Sequence, residues 1–199
     1  MQDYISEKLR GIKGVKGLMK KRRFVNGLLF SIAFVISVNS FLYGGEKLSK
    51  KQLKILKLVK EVALKYPNKN GETFEKTAMA ICLLESGGGK YKIGDSKYKN
   101  KRKHLHKASL GIMQVRVDTA RFVAKKFGLK DVLRMSRQRL AYKLLHDNRF
   151  NAKIAVLYLV WLNNQTSSYF KTISRYNGGN RNKKYYKKVI KNLRIVRKI

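Results

Sequence analysis

Cysteine is almost missing from this chain. Its one thiol, Cys82, rules out an internal disulfide, and no Cys/His cluster has the spacing of a zinc site. Acidic residues are scarce: 11 Asp and Glu stand against 47 Lys and Arg, a net charge of +36 over 199 residues. Few carboxylates are therefore candidates for acid–base chemistry, and each can be weighed by itself. Proline occurs once, at Pro67, where Asn68 and Asn70-Gly71 complete a turn signal. No internal repeat and no convincing run of alternating apolar and polar residues is present, which argues against repeat and sheet-rich architectures. The histidines His104, His106 and His146 lack acidic neighbours and metal spacing, and read as surface residues.

Hydrophobic residues make up 44% of the chain, enough for a real core in one domain plus a targeting or tail segment. The basic excess implies an anionic partner: nucleic acid, a membrane surface or an anionic wall polymer. The N-terminal segment narrows the choice. Phe24 to Tyr43 is nearly all apolar, follows Lys20-Lys21-Arg22-Arg23, contains an h-region from Leu28 to Val38, and is followed by Gly44 and Gly45. Residues 1–45 thus read as a signal peptide, with Met19 a possible true start, or as a retained membrane anchor of about 20 residues. Under either reading residues 46–199, the remaining domain, are exported.

The rest of the chain reads as about seven helices. Residues 47–66 and 73–86 make the first two, the second ending at Gly87-Gly88-Gly89. Residues 88–107 form a lysine-rich exposed loop with short extended pieces. Asp118 is expected to cap a helix through Phe127, Ser136 one through His146, and Asn148 or Asn151 a long apolar one. Ser167 or Ser168 opens a helix through Tyr176, closed by Asn177-Gly178-Gly179. The last, 182–199, places Tyr186, Val189, Ile190, Leu193 and Val196 on one side.

Glu85 is the only acid preceded directly by four hydrophobic residues. It ends the run Ala78-Met79-Ala80-Ile81-Cys82-Leu83-Leu84, where apolar neighbours and the negative end of the helix dipole both disfavour the carboxylate. A carboxyl group kept protonated near neutral pH can protonate a glycosidic oxygen. Cys82, inside the same run, reads as a buried core residue rather than a nucleophile.

Three further segments follow in order: Ser109-Leu110-Gly111-Ile112-Met113-Gln114, Ala155-Val156-Leu157-Tyr158-Leu159, and Arg175-Tyr176-Asn177-Gly178-Gly179. With Glu85-Ser86, this order and spacing resembles the lytic transglycosylases of the soluble (SLT) type, in the goose-type lysozyme superfamily. The resemblance covers roughly residues 70–180. Ile112 replaces the usual Leu, Gly178 stands where Ala is common, and the loop after Ser86 is a lysine-rich variant.

The resemblance implies a mainly α, lysozyme-like domain with a basic loop after the catalytic helix, acting on the glycan strands of peptidoglycan without metal or cofactor. It implies cleavage between N-acetylmuramic acid and N-acetylglucosamine. Glu85 would serve as acid and then as base, and the muramyl C6 hydroxyl would close a 1,6-anhydro ring. Ordinary glycosidases use two carboxylates instead. Tyr176 resembles the tyrosine that hydrogen-bonds the glutamate, and Gln114 a residue lining the sugar site. Ser86, Gly111, Met113, Asn177 and Tyr158 are the other substrate-site candidates, with packing, capping or turn roles as the competing readings. The helix bearing Tyr158 and Trp161 is mostly core. Asp95, in the loop, is the candidate second carboxylate for an alternative hydrolysing muramidase.

Residues 90–107 carry eight Lys/Arg against one Asp, and residues 171–199 carry eleven with no acid. Attraction to anionic wall components fits an exported enzyme, as does a solvated lysine-biased surface. The distant alternative, a basic helical nucleic-acid-binding protein, requires neither an export signal nor the four motifs. Settings open to such an enzyme include wall remodelling, a secretion or conjugation machinery, and a phage.

Overall fold

The computed structural model describes residues 48–94, 102–166 and 168–199. The N-terminal segment and Asp95 lie outside the described residues. Among the described residues no helix is long and apolar enough to cross a membrane.

Eight α-helices and one 3-10 turn form among the described residues, with only isolated β-bridges beside them. The helices are α1 (Lys50–Ala63), α2 (Glu75–Ser86), α3 (Val117–Lys126), α4 (Lys130–Arg134), α5 (Arg137–His146), α6 (Asn148–Asn164), α7 (Tyr169–Tyr176) and α8 (Lys183–Val196). All seven expected helices are present; α4, five residues long, is too short for periodicity to reveal.

Two helices organise the packing. In α2 every residue from Thr77 to Cys82 is buried, and α6 is buried along most of its length. A helix that is apolar all round can only sit inside. The helix α2 packs against α1 and α8, whereas α6 packs against α1, α3, α5 and α7. Amphipathic helices surround this pair, each with one apolar stripe inward; in α1 the stripe is Leu56, Val59, Val62 and Ala63.

Caps explain where several helices begin. Ser49 and Gln52 form a reciprocal capping box at α1. Ser136 caps α5, Ser168 caps α7 and Asn182 caps α8. Two expectations need correction. Asp118 does not cap α3: Arg116 holds that position, and Asp118 lies in the first turn, paired with Arg137 at 2.8 Å. The long helix α6 is opened by Asp147, which accepts from the Phe150 N–H at 2.9 Å, rather than by Asn148 or Asn151.

In the basic loop, Ile93 bridges Leu110 in antiparallel fashion and Leu110 bridges Val115. Arg102–Lys107 forms the 3-10 turn.

Candidate active site

The chain leaves α2 through three successive residues in the left-handed region, Gly87, Gly88 and Gly89. Gly87 N–H donates to Leu83 O and Gly88 N–H to Cys82 O, closing the helix directly after Glu85-Ser86. The abrupt stop leaves Glu85 in the last turn of a helix whose preceding residues are core.

Glu85 is half-buried, and burial pushes its carboxyl above the usual range. A hydrogen bond opposes part of that push: Tyr185 donates its hydroxyl to Glu85 Oε1 at 2.6 Å. Burial pushes the Tyr185 phenol up as well, with the Glu85 charge adding to it, so this side chain remains a proton-bearing donor.

The family resemblance implies Tyr176 as the partner of Glu85, but the bond comes from Tyr185. In the structure the Tyr176 hydroxyl donates instead to Met113 O at 3.0 Å. Burial, and then the charge of Glu85, raises the Tyr176 phenol well above its ordinary value. The sequence did contain a signal. Tyr185, Val189, Leu193 and Val196 are the buried stripe of α8, at spacings of four, four and three. The expected stripe began one residue late, at Tyr186, whose ring is half-buried against Tyr169 and Phe170.

Ser86 ties the helix end to the next motif. Its side chain is 1% exposed; Oγ donates to Ile112 O at 2.7 Å, lies 3.1 Å from Cys82 O, and accepts from Gly89 N–H. Met113 is equally buried, and its main chain is used at both ends: the N–H donates to Asn151 and the carbonyl accepts from Tyr176. Gly111 adopts φ +75, and a Cβ there would lie 2.3 Å from both Asn151 Nδ2 and Leu144 O. The close approach that Gly111 permits is thus to Asn151 and Leu144. Ser86 and Met113 keep their side chains inside the protein and Gly111 has none, and together they set the path of the 109–115 turn beside the end of α2.

Asn151, which the sequence suggests only as a helix start, has a different role. It is fully buried; Nδ2 donates to Leu110 O at 2.9 Å and Leu144 O at 3.0 Å, while Oδ1 accepts from Met113 N–H at 2.8 Å. A buried amide with these partners locks a turn to a helix. Gln114, the one described non-glycine residue at positive φ (51°), closes the turn: its amide donates to Gly111 O at 2.9 Å and Tyr91 O at 3.3 Å.

Tyr158 is half-buried on α6, its ring centroid 5.8 Å from that of Tyr176. It stacks nearly parallel to Trp161 at 6.3 Å and meets Phe122 edge-on. The result is an aromatic row that runs from Tyr176 through Tyr158 to Phe122 and Trp161. Asn177 is exposed at the end of α7, where Oδ1 accepts from Asn182, the cap of α8. It therefore helps turn the chain into the helix that delivers Tyr185. Cys82 is buried, its thiol pushed up to about 12 by burial, which leaves it inert as a nucleophile. Among the described residues no group of three or more His, Cys, Asp or Glu is placed to hold a metal ion.

A half-buried carboxyl group, held by a phenol and flanked by a glycine-bearing turn, is suited to proton transfer. The family model for the Transglycosylase SLT domain matches residues 63–196, which include Glu85, the 109–115 turn, α6, Tyr176 and Tyr185. Searches of curated proteins and of solved structures returned no significant match. The match spans well over half of the chain, and this protein belongs to the SLT transglycosylase domain family, whose substrate is peptidoglycan.

Proposed function

We propose that this protein is a lytic transglycosylase that cleaves the β-1,4 bond between N-acetylmuramic acid and N-acetylglucosamine and leaves a 1,6-anhydromuramyl end. The observation that carries this reading is Glu85, raised by burial and held through Oε1 by Tyr185. Protonated Glu85 gives its proton to the glycosidic oxygen, and the C1–O bond breaks as N-acetylglucosamine leaves. The Glu85 carboxylate then takes the proton of the muramyl C6 hydroxyl as that oxygen bonds to C1. Glu85 ends protonated, ready for the next cycle, and no water is consumed. The attacking hydroxyl belongs to the same sugar, so its positioning cost is already met.

Tyr185 acts as a positioning residue. Its bond fixes the carboxyl group and stabilises the charged form that the second step needs. Tyr176 and Tyr158 border the same region, with Tyr176 also supporting the Met113 carbonyl. The Ser86–Ile112 bond and Asn151 hold the turn on which Gln114 is presented. Phe24 to Tyr43, with its basic flank, supplies export to the wall, where the substrate lies.

Digestion of purified sacculi followed by mass spectrometry of the released muropeptides tests this reading. Anhydromuramyl products are expected from the protein, and none from Glu85→Gln. Reducing-end products instead would assign the enzyme as a muramidase, with Asp95 the carboxylate to substitute next. Full activity in Glu85→Gln would overturn the catalytic role.

A further inference from the structure

The helix that supplies Tyr185 to Glu85 also carries a long strip of exposed cations. Lys183, Lys184, Lys187, Lys188, Lys191 and Arg194 are all exposed. Residues three and four apart share a helix face, so they line the outer side of α8 over about 17 Å. The ion pairs among the described residues join Arg137 to Asp118, Lys143 to Asp147 and Arg149 to Glu61, and none involves α8. No acidic residue occurs anywhere after Asp147. The opposite side of the helix is committed inward, with Tyr185, Val189, Leu193 and Val196 buried.

We propose that the outer face of α8 is a docking strip for the carboxylates of peptidoglycan stem peptides, so that one helix grips the peptides with its outer side and holds the catalytic acid with its inner side. This inference rests on the transglycosylase reading of the site. Three observations select the occupant. The apolar stripe of α8 is spent on the core, so the helix has no free hydrophobic face to sink into a membrane. Its aromatic residues are engaged, Tyr185 with Glu85 and Tyr186 with Tyr169 and Phe170, so none is left to stack on nucleic-acid bases. The strip itself is six exposed cations, and carboxylates are anionic groups that the stem peptides of peptidoglycan, the substrate of this family, present along the glycan.

The test measures binding apart from catalysis. Full-length Glu85→Gln protein is pelleted with intact sacculi and with glycan strands stripped of stem peptides by an amidase. The same assay is run with Lys183, Lys184, Lys187, Lys188 and Lys191 changed to Gln in that background. Exposed charge pairs are individually weak, so the five together are expected to give about a tenfold preference for peptide-bearing over stripped glycan. That preference is expected to fall with added salt and to vanish in the quintuple variant. With Glu85 restored, the quintuple variant is expected to show a raised KM on sacculi and an unchanged kcat. Equal binding of both glycans by the parent, or an undiminished preference in the quintuple variant, overturns the proposal. So does displacement by duplex DNA or anionic vesicles at lower charge concentration than by free stem peptides. The muropeptide products report separately on the reaction, so loss of either reading is recognised without the other.

Discussion

Tyr185 and Glu85 are 100 residues apart in the chain, and their side chains meet at 2.6 Å. This contact joins the ends of two helices that pack along each other, so the last helix both covers the core and supplies the hydrogen-bond partner of Glu85. Because the phenol donates, it favours the carboxylate and moderates the effect of burial.

Tyr185→Phe removes that donor with little change in shape. The Glu85 carboxyl is then expected to rise further, because the bond that opposes the effect of burial is gone. Activity that needs the protonated acid falls as pH rises through its pKa, so the alkaline limb of the pH–rate profile should move to higher pH. Tyr176→Phe, which frees Met113 O, should cost about 1 kcal/mol of stability and leave that limb where it is. Matched pH profiles of the two variants check both expectations.

Glu85→Gln should stabilise the fold at neutral pH. Burial raises the folded-state carboxyl above its ordinary 4.5, so ionisation is more costly in the folded chain than in the unfolded one. The wild-type protein therefore loses stability as pH rises from about 4.5 through the folded value, and Gln does not. The difference in Tm should be positive at pH 7 and shrink toward zero below pH 4, measured by thermal melts across that range. A variant less stable than wild type at pH 7 would contradict this account.

Asn151→Ala strands the Met113 N–H and the Leu144 carbonyl inside the protein, while Leu110 O keeps the Val115 N–H at 2.8 Å. A loss of about 3 kcal/mol is expected in urea unfolding, together with reduced activity from a loosened turn. Gly111→Ala should be at least as damaging, because its Cβ collides with the same amide and the backbone has positive φ.

Ser86→Ala breaks the bond from α2 to Ile112 O while leaving Glu85 in its helix. A stability loss of about 2 kcal/mol is expected from the buried partners left behind. If Ser86 instead worked mainly by touching substrate, kcat/KM would fall with no change in the unfolding midpoint.

Asp147→Ala removes the cap of α6 and should cost about 1 kcal/mol. Asn148→Ala, one residue along, is a control for the corrected boundary: it should cost less, since its side chain accepts only from the surface lysine Lys92.

Local chemistry alone determined much of this protein. The helices followed from apolar spacing, their ends from glycines and from Ser136 or Ser168, and Glu85 from the contrast between one carboxyl group and the greasy run before it. Those signals reside in a few neighbouring residues, so no folding is needed to see them. The tertiary structure decided the rest. It chose Tyr185 over Tyr176 as the partner of Glu85, because that depends on which face of α8 packs on α2, and a one-residue shift on a helix turns a side chain by about 100°. It also turned Asn151 from a plausible helix start into the buried clasp of the 109–115 turn. Both contacts link segments that are distant along the chain, and only packing brings such groups within hydrogen-bonding reach.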